Sequence, residues 1–194
     1  MLKRFDHADI SIRPQRRPPL PCYHTPAIAR NDMSAPIICP ERKVESAWID
    51  YNGHMNTAYY NLVFDQTLDC VFDDLGIGAA YVKAGHGSCF TVETHVSYIA
   101  ELALHDPIRV TYQLLDWDDK RMHFFGEMYH AKQGYLAATS EQLSLHVDIQ
   151  TRKAGPFPAA ARQKIGALMA AQKGITWPTQ VGHVMRIARE KSLR

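Results

Sequence analysis

The 194-residue chain lacks any apolar run of membrane-spanning length, and Met1-Leu2-Lys3-Arg4-Phe5-Asp6 leads into no apolar signal core. Cysteine is scarce. Cys22, Cys39, Cys70 and Cys89 have no CxxC spacing, which argues against a metal knot or a disulfide framework and suits a reducing cytoplasm. Charge of either sign is hardly in excess, with 22 Lys and Arg against 20 Asp and Glu. Residues 1–33 hold six Lys/Arg and three Asp, so the remainder carries 16 against 17. A nearly neutral body excludes the broad basic face that nucleic-acid binding needs. Internal repeats and a Gly-rich phosphate fingerprint are absent too. What is present is one domain's length of chain, 46% hydrophobic, enough to bury a core. These bounds predict a soluble protein without nucleic-acid or membrane partners.

Residues 1–33 read as a tail or an over-extended start, because Arg13-Pro14-Gln15-Arg16-Arg17-Pro18-Pro19-Leu20-Pro21 removes backbone donors and offers no foldable pattern. A folded domain is expected over 34–175, followed by a basic tail over 176–194. Lys43 to Ile49 reads as a first strand. From Asn56 the apolar residues Phe64, Leu68, Val71, Phe72 and Leu75 recur at helical spacing, with Gly76 as the stop. Residues 78–87 read as a loop. Alternating patterns then predict strands around 90–99, 108–114, 122–128 and 135–147, and a last helix spans 159–172. A strand, a long helix and four antiparallel strands predict an α+β fold with a five-stranded sheet wrapped around one helix.

The chemistry concentrates in Asp50-Tyr51-Asn52-Gly53-His54-Met55-Asn56 and the helix start behind it. Asp-x-x-Gly by itself reads as a turn. Here it also sets a carboxylate beside the positive end of a helix, whose first N–H groups lack intrahelical partners. A carboxylate base or nucleophile facing such donors is what acyl transfer needs. Asn56 reads as the helix cap. Cys89 near His86 or His95 lacks a helix-start setting that would activate a thiol. Glu93 and His95 share a strand face and read as structural. Trp48, Tyr51, Tyr59, Tyr60 and Phe90 form an aromatic set that reads as core packing or as a cage for a quaternary ammonium.

Asp50 to Asn56, followed by Ala58 and Tyr60, resembles the Asp-x-x-Gly-His-x-Asn entry of hotdog-fold acyl-CoA thioesterases of the 4-hydroxybenzoyl-CoA thioesterase type. The likeness continues through Phe90 to His95, Asp119 to His123, Ser140 to Gln142 and Leu145 to Asp148. With Trp48 and Ile49 included, it is most similar to the betainyl-CoA thioesterase branch associated with carnitine breakdown.

The resemblance implies hydrolysis of a CoA thioester to a carboxylate and free CoA, with no cofactor beyond the CoA of the substrate. It makes Asp50 the nucleophile or the base for water, and the Thr57 backbone N–H the oxyanion donor. His54 becomes a supporting or acyl-contacting group, and Asp65 on the helix a backup base. It implies that Lys120 and Arg121 meet CoA phosphates, although a solvated turn explains that pair equally well. It also implies a homodimer or higher homo-oligomer. A hotdog hydratase lacks support, since Gly before Asp and Pro-x-His after it are missing. A non-catalytic acyl-CoA sensor would need a DNA-binding helical segment that the prolines of 1–33 exclude.

Overall fold

The structure, a computed structural model, describes residues 34–187. The readings for residues 1–33 and for 188–194 lie outside them. The elements in chain order are β1 (Ile37–Ile38), β2 (Arg42–Lys43), α1 (Thr57–Leu75), α2 (Ala79–Lys83), β3 (Ser88–Tyr98), β4 (Pro107–Trp117), β5 (Arg121–His130), β6 (Leu136–Asp148), β7 (Lys153–Ala154) and α3 (Ala159–Gln172). One antiparallel sheet runs in the order β1-β4-β5-β6-β3, with β2 beside β4 and β7 beside β6. This is the expected α+β hotdog arrangement, a sheet curved around α1.

The apolar stripe of α1 explains its place. Val63, Phe64, Leu68, Val71, Phe72 and Leu75 are buried against Tyr112, Leu114, Met122, Phe124 and Met128 of β4 and β5. Phe64 of α1 and Tyr112 of β4 close over Gly126, where a Cβ would lie 2.7 Å from Tyr112 and 3.2 Å from Phe64. The Tyr112 hydroxyl, buried there, donates to the Phe64 carbonyl and so meets the demand of a polar group in the core. Asn56 caps α1 and Gly76 ends it at φ +80°, a conformation glycine adopts without penalty. Among the described residues no helix is long and apolar enough to cross a membrane.

Two expectations are corrected. The strand predicted from Lys43 to Ile49 stops at Lys43, and Ser46–Trp48 forms a single 3-10 turn. A strand would put Ser46 on the same face as Val44 and Trp48. The turn leaves Ser46 and Ala47 exposed while Val44 and Trp48 bury. The predicted 78–87 loop contains α2, whose first N–H is taken by the Asp73 carboxylate. Beyond α3 the described residues, 173–187, form no helix or strand, yet they are laid on the sheet. Gln113 donates to the Ile175 carbonyl, and the Gly182 N–H donates to Glu141. Trp177, Val184, Met185 and Ile187 along this stretch stay exposed.

Candidate active site

The Asp50 turn is a small hairpin. Asn56 N–H donates to the Trp48 carbonyl and Asp50 N–H to the His54 carbonyl, which bracket the Ile49–Met55 bridge. Gly53 N–H donates to the Asp50 carbonyl, and Gly53 takes φ +83°. A three-residue hairpin loop closing on a left-handed residue demands this, and it accounts for the glycine in the motif. Side chains alternate across such a ladder. Ile49 and Met55 pack on the core, so Asp50 and His54, opposite each other, share the outward face. The Asn52 N–H donates to Asp50 Oδ1 at 2.8 Å, which steadies the carboxylate.

The helix start lies directly behind this hairpin. Asn56 Oδ1 accepts from Ala58 N–H at 3.0 Å, and the Asn56 carbonyl accepts from Tyr59 N–H. Neither reaches the Thr57 N–H, which has no hydrogen-bond partner among the described residues. The Thr57 carbonyl accepts from the Tyr98 hydroxyl, so the first residue of α1 is held by its other end. An open amide at a helix N-terminus, in the partial positive field of α1, can receive a developing oxyanion.

A second segment backs the site. Met55 N–H donates to the Leu102 carbonyl, Leu102 N–H to the Tyr60 hydroxyl, and that hydroxyl to the Ala100 carbonyl. His54 Nε2 lies 3.2 Å from Glu101 Oε2. Sequence reasoning missed Glu101, Leu102 and Tyr98, because they lie forty or so residues from the motif in chain order. Tyr60 therefore serves as a bracket between α1 and the strap over residues 99–102, its ring edge-on to Tyr98.

The five aromatics do not form one cage. Within this set of five, ring contacts join only Trp48 and Tyr59, stacked at 5.7 Å. Trp48 is 4% exposed, and the Arg42 guanidinium lies 5.3 Å from its ring centre, where a ligand cation would have to sit. Arg42 in turn bonds Gln66 on α1. Tyr51 is 95% exposed at the hairpin tip, and Phe90 lies on β3 opposite Leu145.

Asp65 lies on the exposed side of α1, where desolvation raises its carboxyl above the usual range. Asp69, one turn on, is raised to about 6, first by desolvation and then by Asp65 and Asp73. Arg121 is engaged by Asp118 at 2.6 Å and is not held out as an isolated cation. Desolvation opposes the Asp118 charge, yet hydrogen bonds from Arg121 and Lys120 hold its carboxyl below the usual range. Lys120, partly buried, shares that turn. Burial pushes the Cys89 thiol up to about 12, so it stays protonated.

Glu93 and His95 line an open pocket of about 330 Å³ with His123, Glu141 and His183. His123 alternates with the core residues Met122 and Phe124, so the pocket lies on the sheet face turned from α1. Glu141 there accepts from His123 and from Gly182 N–H, and His95 stacks on His183.

Comparison with known proteins adds family likeness. A family model described as the thioesterase-like superfamily matches residues 44–165. An L-carnitine dehydrogenase/betainyl-CoA thioesterase of Rhizobium meliloti (strain 1021) is 42% identical over 134 residues, 69% of this chain and 27% of that protein. The chain thus spans about a quarter of that longer relative. The betainyl-CoA thioesterase of Pseudomonas aeruginosa is 33% identical over 153 residues, 79% of this chain and 96% of that protein. Among solved structures, the Staphylococcus aureus protein SAV2348 in complex with CoA superposes with a TM-score of 0.72 at 32% identity, over 77% of this chain and 94% of that one.

Proposed function

Because the chain belongs to the thioesterase-like superfamily, we propose that it hydrolyses an acyl-CoA thioester at Asp50, and that its acyl group is betainyl. The observation that carries the site is the pairing of the Asp50 hairpin with the open Thr57 amide of α1. The thioester oxygen accepts from Thr57 N–H, which stabilises the charge that develops as the carbonyl carbon becomes tetrahedral. Asp50 either attacks that carbon or takes a proton from the water that does. Both routes break the C–S bond, release CoA as its thiolate, and end in a carboxylate with one water consumed. A thiolate leaves readily, so a carboxylate suffices as activator. The reaction needs no cofactor, since CoA arrives with the substrate. The CoA-bound neighbour supports this substrate class, and the free thiols of Cys39, Cys70 and Cys89 suit a cytoplasmic setting.

The betainyl assignment is supported by the names of the two relatives and by the hairpin signature. It is not drawn from a closed aromatic cage within one chain. Trp48 is a core residue here, so Trp48→Leu would report lost packing. The exposed Tyr51 is the ring open to a cationic acyl group or an approaching subunit.

The test is free-thiol release from betainyl-CoA and from its neutral isostere with carbon in place of the cationic nitrogen. A higher kcat/KM for the cationic substrate is expected, with Tyr51→Leu shrinking the preference. Asp50→Asn keeps an acceptor for Asn52 N–H and should lose about 10² to 10⁴ in kcat. Equal kcat/KM for the two substrates would remove the betaine assignment, and full turnover by D50N would remove Asp50.

We also propose a homodimer. β3 is an eleven-residue edge strand with no fully buried residue, an open ladder that another copy of the chain can pair with.

A further inference from the structure

We infer that Glu101 is a positioning residue for this hydrolysis, holding the His54 imidazole beside Asp50; the inference rests on the reading of Asp50 as the reacting carboxylate. The strap that carries Glu101 is pinned on every side. Ile99 and Ala100 N–H groups donate to the Ala137 carbonyl of β6. The Glu101 carbonyl accepts from the Tyr135 hydroxyl at 3.0 Å. Leu102, fully buried, bonds Met55 and the Tyr60 hydroxyl through its two backbone groups. A connection between strands does not need so many anchors to span its distance. Here they fix the backbone from which the Glu101 carboxylate reaches His54 Nε2.

Both side chains keep solvent contact, so the pair adds little to stability. Its effect falls on geometry. With Nε2–H given to Glu101, rotation of the imidazole is restrained and its Nδ1 edge is left for another partner. His54 sits opposite Asp50 on the outward face of the hairpin. The restrained ring is thus placed to order a water or the acyl group beside the reacting carboxylate. Small misplacements at a reacting centre cost much more rate than binding.

The experiment measures thiol release by E101A, E101Q, H54A and the H54A/E101A double variant, with D50N as reference and thermal melts as a check on folding. E101A should lose roughly tenfold in kcat with KM within about twofold. E101Q should keep at least about half of the activity, since its amide oxygen still accepts the Nε2–H. The double variant should be no slower than H54A, because Glu101 acts through that ring. Wild-type kcat in E101A, E101Q as slow as E101A, or a multiplicative loss in the double variant would overturn the inference. Wild-type turnover by D50N would instead overturn the reading of Asp50 on which it stands.

Discussion

Gly53 takes φ +83° and has nothing within 4 Å of the point where a Cβ would lie. Gly53→Ala therefore meets no neighbour, and its whole cost is the left-handed backbone, about 1–2 kcal/mol. A drop of roughly 2–8 °C in the melting temperature is expected. kcat should fall too, since the hairpin presents both Asp50 and His54; unchanged kcat would separate the turn from the chemistry. At this scale the sequence was most readable where the interaction is local. Asn56 is two residues from the amide it caps, and the Asp50–Gly53 turn is written in four letters. It was least readable where a distant group intervenes. Nothing near Met55 or Tyr60 announces that Leu102, more than forty positions on, will bond both.

α1 carries Asp65, Asp69 and Asp73 at successive turns of one exposed row, and the middle carboxyl is raised to about 6 from 3.8. A carboxyl whose folded value is raised favours the native state while protonated. That advantage is full below about pH 4, is lost as pH rises toward 6, and is gone above it. Asp69→Asn should thus stabilise the protein at pH 8, by about 0.4–1 kcal/mol for two relieved like-charge pairs. The gain should vanish at pH 4, and paired melts at the two pH values check it. Equal gains at both would assign the effect to helix propensity. The helix and the four long strands were legible because each repeats one period over ten or more residues. The Lys43–Ile49 segment was not, since a 3-10 turn of three residues is shorter than any period, and α2 is likewise too short.

At the scale of the molecule, the sheet among the described residues does not close on itself and ends at β3. Its bulge between Thr91 and Glu93 displaces Val92 from the register, so the face expected from strict alternation is interrupted. Light scattering should give a mass at least twice that of the 22.0 kDa chain, and an active monomer would refute the assembly. The strap over 99–102 has a separate consequence for anyone who would transplant this site. The signature from Asp50 to Tyr60 looks portable, but the Met55 amide and the Tyr60 hydroxyl find their partners on the strap. Grafted alone onto another scaffold, the signature would leave the Met55 amide buried and unsatisfied, and the hairpin would relax to suit the host. The heritable unit is two pieces of chain some forty residues apart, and they must travel together.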